Sequence, residues 1–156
     1  MNYLAASWEN QSLSDNMNSY HGTSSANAST IASGTIDVTL GGGELGRGFY
    51  TGEHLHEAKA WAFHTTGDKQ SNVVFFTTAD DDVETLDLKL LGYSDAGLQR
   101  HWIRQRNETR TFLFGHAMVW APIVGSERAS GDQYKWESNV AELLLNDPSK
   151  TQKDVI

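Results

Sequence analysis

Gly46-Arg47-Gly48-Phe49-Tyr50-Thr51 runs directly into Gly52-Glu53-His54-Leu55-His56-Glu57-Ala58-Lys59-Ala60-Trp61-Ala62, and the reading of this chain turns on that stretch. Gly48 to Thr51 predicts a short strand. Glu53 to Thr65 predicts the clearest helix of the chain, with Leu55, Ala58, Trp61 and Ala62 at helical spacing. A strand that turns at once into an alanine-rich helix sets Tyr50 and Trp61 eleven positions apart, each on its own element.

Toward the N-terminus, Tyr20-His21 reads as the end of a strand, preceded by a weakly structured lead-in over residues 1–18. Ser24 and Ser25 offer N-caps to a two-turn helix that ends near Gly34. Ile36, Val38 and Leu40 alternate with polar residues, a period of two that predicts a strand broken by Gly41–Gly43. Toward the C-terminus, Asn72–Ala79 is β-rich, Asp80–Asp82 reads as a turn, and Val83–Leu91 as an extended segment. Asp95–Asn107 predicts a helix with Leu98, Trp102 and Ile103 on one side. Ala117–Val124 is an apolar strand in which Pro122 argues for an edge or a bend. Gln133–Trp136 and Ser138–Asn146 complete the series as a short strand and a closing helix that Pro148 stops. Strands outnumber helices without alternating regularly with them, which predicts an α+β fold in a single domain over 1–156.

Composition narrows the function classes. The chain has 156 residues, formal charge -8 and no cysteine, so disulfides, thiolate nucleophiles and cysteine zinc sites are excluded together. An acidic surface disfavours nucleic acid as a partner and makes a protein the expected one. The only basic cluster, Arg100, Arg104, Arg106 and Arg110, reads as a solvated helix face. No apolar run approaches the ~20 residues of a membrane span, and Met1 to Asn18 lacks a secretory pattern, so the expected compartment is the cytoplasm. His54 and His56, two apart on the predicted helix, should point to nearly opposite faces. No HExxH is present, because position 60 is Ala, so no metal is expected. Gly41-Gly42-Gly43-Glu44-Leu45-Gly46-Arg47-Gly48 lacks a P-loop ending, the GxGxxG spacing is missing, and there is no GxSxG elbow. Trp102, Trp120 and Trp136 read as core residues. Taken singly, His21 reads first as a satisfied core histidine and Gly46/Gly48 as a simple tight bend.

Taken together and in order, Tyr20-His21-Gly22-Thr23, the Gly46–Thr51 strand and the helix bearing Trp61 resemble the H-Y-E class of ADP-ribosyltransferases, the class of diphtheria toxin and the poly(ADP-ribose) polymerases. The resemblance implies two small packed β-sheets with flanking helices around an NAD cleft. It implies that Tyr50 and Trp61 stack on nicotinamide, and that the Gly22 backbone holds the carboxamide. By the same likeness His21 bonds the adenosine ribose, and Tyr20, Thr23, Arg47 and Gly48 neighbour the dinucleotide. The class places a glutamate on a late strand before the closing helix. Here the matching run is Asp132-Gln133-Tyr134-Lys135-Trp136-Glu137, with Gln133 in that seat and Glu137 competing for it. At ~3.3 Å per residue those two lie ~13 Å apart, so both cannot hold one hydroxyl. The implied catalytic set is therefore His21, Tyr50 and Gln133 or Glu137. With no second large domain, the implied activity is mono-ADP-ribosyl transfer by a toxin or effector, with NAD as co-substrate and no metal. The toxin analogy adds delivery into another cell and an immunity or antitoxin partner. NAD glycohydrolysis, or a catalytically weak NAD- or ADP-ribose-binding module, are the alternatives.

Overall fold

The computed structural model describes residues 15–125 and 130–156. Its centre is one seven-stranded sheet, mostly antiparallel, with five helices among the described residues. In chain order the elements are β1 (Asn16–Gly22), α1 (Ser25–Ser33), β2 (Phe49–Gly52), α2 (Leu55–Thr66), β3 (Val73–Ala79), α3 (Asp80–Glu84), β4 (Leu88–Leu90), α4 (Tyr93–Gln105), β5 (Met118–Pro122), β6 (Asp132–Trp136), α5 (Asn139–Asn146) and β7 (Thr151–Val155). The strand order is β4-β5-β6-β2-β1-β3-β7, and only β4 and β5 run parallel. An α+β fold is what the sequence led one to expect. The two separate sheets are not: all seven strands join in one sheet. It is thinnest between β2 and β1, which share a single registered pair, Tyr20↔Gly52, whereas β1 and β3 share seven.

Strand alternation assigns each face its own covering. On one face Val74, Phe76, Met118, Tyr134 and Trp136 pack with Ala28 of α1, Val83 of α3 and Ala141, Leu144 and Leu145 of α5. Trp136, 1% exposed, is the largest side chain in that core, and its indole N–H donates to Thr51 Oγ1 at 2.9 Å. The other face is covered in two pieces. Helix α2 packs on β1, β3 and β2. Helix α4 packs on β5, its Ala96 joining Leu45, Val119 and Ala121 in a second, smaller cluster.

Serines at two helix starts act as caps. Ser24 Oγ accepts from the Asn27 amide at 3.1 Å, and Ser138 Oγ from the Ala141 amide at 3.4 Å. Gly67 closes α2 at φ 81°, the left-handed conformation that glycine adopts without cost.

Several expectations are corrected. Ile36, Val38 and Leu40 form no strand. Ile36 and Val38 are buried, but their backbone is satisfied by side chains of α5: Asn146 accepts from the Ile36 amide at 2.7 Å and donates to its carbonyl at 2.9 Å, and Glu142 accepts from the Val38 amide at 2.9 Å. The period of two marks burial, and Asn146 plays the part of a neighbouring strand. Leu40 is exposed. Asp80–Asp82 opens α3 rather than forming a turn, because three acidic residues suit a helix N-terminus. Val83 belongs to that helix, so the extended segment shrinks to β4. On α4 only Ala96 and Ile103 are buried; Leu98 and Trp102 are exposed, as is Trp120 on β5. Strand β5 is paired on both sides, so Pro122 marks its end and not a sheet edge. Its missing N–H costs nothing there because β4 reaches only to Trp120. Asn16–Asn18, read as lead-in, belong to β1, and residues 1–14 of that lead-in lie outside the described residues. The polar run Thr151-Gln-Lys-Asp-Val forms the edge strand β7, anchored by a buried Thr78–Thr151 hydroxyl pair at 3.0 Å. Among the described residues no helix is long and apolar enough to cross a membrane.

Gly22 ends β1 directly beneath α2, where an added Cβ would overlap the Ala58 carbonyl oxygen. Gly97, inside α4, has nothing within 4 Å of such a Cβ. Gly22→Ala is therefore expected to destabilise the fold by ~2 kcal/mol or more, and Gly97→Ala to stabilise it by ~0.5–1 kcal/mol. Urea unfolding of the two variants beside the parent chain checks both signs.

Candidate functional site

Because α2 covers one half of the second face and α4 the other, a cleft of about 650 Å³ opens between them. Tyr50 of β2 and Gln133 of β6 contribute its floor, Ala58 and Trp61 line it from α2, and Arg100 and Arg104 from α4. Tyr20, His21 and Gly22 of β1 reach it from one end, and Gly48 and the loop 41–44 from the other side.

Where the ladder between β1 and β2 gives out, a side chain takes over. His21 Nδ1 lies 2.6 Å from the Tyr50 carbonyl oxygen. A carbonyl can only accept, so Nδ1 carries the proton and Nε2 is left as the acceptor of the neutral ring. Burial pushes the His21 pKa below its ordinary value of 6.5, against the raising effect of the Tyr50 carbonyl, and favours that neutral form. The ring also stacks on Phe49, with centroids 4.4 Å apart. Gly22 adds backbone groups. Its neighbour Thr23 donates to the Asn72 carbonyl at 2.9 Å, which makes Gly22↔Val73 a non-hydrogen-bonded pair of the β1–β3 ladder. The Gly22 amide and carbonyl therefore point away from β3, toward β2 and the cleft.

Tyr50 is fixed at its far end. Its hydroxyl donates to the Gly46 carbonyl at 2.6 Å and accepts from the Leu45 amide at 3.1 Å, and burial holds the phenol far above its ordinary pKa. Its ring lies against Gly43, where a Cβ would come within 2.8 Å of it. Trp61, in contrast, is 65% exposed, an indole standing off α2 into solvent beside the cleft. Gln133 is 8% exposed; its amide nitrogen donates to Glu44 Oε1 and to the Pro122 carbonyl at 3.3 Å.

Glu137, Arg47 and Thr23 are not brought to this cleft. Glu137 accepts from the amides of Phe114 (2.9 Å), Gly115 (2.8 Å) and His116 (3.3 Å), and pairs with Lys135 Nζ at 2.6 Å. With four donors its carboxylate is fully engaged in pinning segment 112–116 to the sheet. Lys135, 0% exposed, also donates to the Phe112 carbonyl at 3.2 Å, and burial lowers its pKa despite the glutamate beside it. Arg47 and Glu137 line a different hollow, with Asp37, Asp87 and His116. Thr23 Oγ1 accepts from Asn27 Nδ2 at 3.4 Å.

Sequence reasoning passed over Glu44, Arg100 and Arg104 as residues of a site. Arg100 and Arg104, four apart on a helix, share a face, and that spacing was the available signal. Arg106 instead lies over the Trp102 ring and Arg110 donates to the Leu40 carbonyl, so the basic cluster divides. His54 and His56 also differ from expectation. The helix begins at Leu55, leaving His54 outside it, and the two rings stack at 5.3 Å rather than facing apart. Among the described residues no group of three or more His, Asp or Glu is placed to hold a metal. No protein-family model matches the chain, and no curated protein matches it significantly.

Two consequences are measurable. Glu137→Gln breaks a buried ion pair and should destabilise the fold by ~3 kcal/mol, read by urea unfolding. His21 binds its proton less readily when folded than when unfolded, so its contribution to stability is lost as pH falls below ~6.5. Unfolding free energy measured from about pH 7.5 to pH 5 should therefore drop more steeply in the parent chain than in His21→Gln.

Proposed function

We propose that the protein is an NAD-dependent mono-ADP-ribosyltransferase of the toxin or effector type, with an NAD cleft like that of the H-Y-E class. In this reading it binds NAD between α2 and α4, releases nicotinamide and passes ADP-ribose to a protein acceptor. The observation that carries this reading is convergence. His21, Gly22, Tyr50 and Trp61, which the resemblance singled out from three separate elements, line one cleft with Gln133. The thin β1–β2 junction also supports it, since a sheet nearly divided there approaches the two-sheet arrangement of that class.

Each group has chemistry suited to the ligand. A carboxamide needs one donor and one acceptor, which the cleft-facing amide and carbonyl of Gly22 offer. A flat pyridinium suits aromatic faces. The Tyr50 ring is held in place by its hydroxyl before any ligand arrives, so little ordering cost remains at binding. Neutral His21 presents Nε2 as an acceptor for a ribose hydroxyl. Arg100 and Arg104 put two cationic side chains on the cleft wall, matching a diphosphate. The reaction breaks the bond between ribose C1′ and the pyridinium nitrogen. The electron pair leaves with nicotinamide, and the positive charge spreads over C1′ and the ring oxygen until a nucleophile attacks.

Tyr50→Ala and Trp61→Ala are each expected to weaken NAD binding about tenfold by calorimetry, since each removes a stacking face worth ~1 kcal/mol or more. Trp61→Ala should leave the melting temperature unchanged, because the ring is exposed. Unaltered affinity in both variants would count against the cleft as the NAD site. Incubation with labelled NAD identifies the acceptor class: labelled protein for the transferase, free nicotinamide without labelled macromolecule for a glycohydrolase.

A further inference from the structure

The glycine-rich stretch 41–48 has a job that its sequence does not announce. Gly43 and Gly46 exchange amide–carbonyl hydrogen bonds at 3.1 and 3.0 Å, and Gly46 stands at φ 97°. The loop is thereby cinched to a two-residue tip, Glu44-Leu45. Leu45 is buried in the cluster with Ala96, Val119 and Ala121, so the tip is anchored, and Glu44 is turned into the cleft. The Tyr50 hydroxyl bonds both Leu45 and Gly46, tying this loop to the aromatic floor.

The Glu44 carboxylate is oriented from three sides. Oε1 accepts from Gln133 Nε2 and from the Val124 amide at 3.1 Å, while Oε2 lies 3.4 Å from Arg100 Nε. Gly125 packs so closely over Oε2 that a Cβ there would overlap it. Gln133 cannot be turned the other way round, since both partners of its Nε2 are acceptors. A neutral amide thus occupies the late-strand seat, and the negative charge sits one hydrogen bond away on a different segment.

We propose that Glu44 supplies the carboxylate that stabilises the cationic ribose, with Gln133 as the residue that positions it. This rests on the NAD-cleft reading above. As the C1′–N bond breaks and its electron pair departs with nicotinamide, the charge left on C1′ and the ring oxygen is met by Glu44, which accepts a hydrogen bond from the adjacent 2′-hydroxyl. The acceptor nucleophile then bonds to C1′ and gives its proton to solvent. Gln133 Oε1, which accepts no hydrogen bond among the described residues, is a second acceptor for the same ribose edge.

The test is nicotinamide release and NAD affinity in E44Q, E44D and E44Q/Q133E, with melting temperature as the control for folding. Glu44→Gln should lower kcat about 100-fold or more, the scale on which a single preorganised electrostatic partner acts, with the NAD dissociation constant within about threefold. E44D keeps the charge but withdraws it, and should lower kcat with KM unmoved; it reads the same point if E44Q fails to fold. E44Q/Q133E moves the charge across the same hydrogen bond and should recover release relative to E44Q, which loss of a merely structural contact would not allow. Parental kcat in E44Q, or in E44D where E44Q does not fold, overturns the role of Glu44 while leaving the NAD cleft standing. Loss of NAD affinity in parallel with kcat in both variants also overturns it, since the carboxylate would then act in binding alone. A parent chain that neither binds NAD nor releases nicotinamide overturns both readings.

Discussion

One hydrogen bond, from His21 Nδ1 to the Tyr50 carbonyl, closes the sheet where its backbone ladder fails. Between β2 and β1 only Tyr20↔Gly52 is in register, and beyond it the strands part. A carbonyl left without a donor costs up to ~1–3 kcal/mol when buried, and the imidazole supplies that donor at this part-buried point. The same bond fixes which ring nitrogen carries the proton and holds His21 beside Gly22, whose amide and carbonyl are freed for the cleft by the parting of the strands. A local failure of pairing is thus what creates both a hydrogen-bonding backbone edge and an oriented histidine.

From that junction the second face follows. Gly22 lets α2 descend onto β1, α4 settles over β5, and the strip between them, floored by Tyr50 and Gln133, stays uncovered. Strand β6 then carries two polar devices on one face. Gln133 holds Glu44 and so the loop 43–46, while Lys135 holds Glu137 and so segment 112–116. Both carboxylates are anchored to the sheet, but only Glu44 opens on the cleft; Glu137 spends its capacity on three backbone amides and a lysine. This division gives β6 one residue that opens on the cleft and one that secures a loop.

Elements governed by short-range chemistry were legible in the residues. Serines at helix starts, the β-rich run of β3 and the short strand β6 act locally, and each appears where its neighbours demand it. Elements that depend on remote partners were not. Ile36 and Val38 alternate like a strand, yet their amides are met by Asn146 and Glu142, more than a hundred positions away. Strand β7 has hardly any apolar pattern because it is an edge with one buried residue, Thr151. Within the site, the order of Tyr20–Gly22, Tyr50 and Trp61 pointed to a common cleft, whereas Glu44 lay hidden among glycines and Arg100 among other arginines.

The sequence by itself determined the α+β class, the helices and strands whose signals are local, and the aromatic and glycine residues that come together, because strand period, helix caps and residue chemistry are local properties. Only the tertiary structure decided that the sheet is continuous, and that Glu137 belongs to a loop clamp. It alone also set the Glu44 carboxylate against Gln133. Those outcomes rest on groups meeting across 21 to 89 positions of chain, and no pattern within a single segment encodes such meetings.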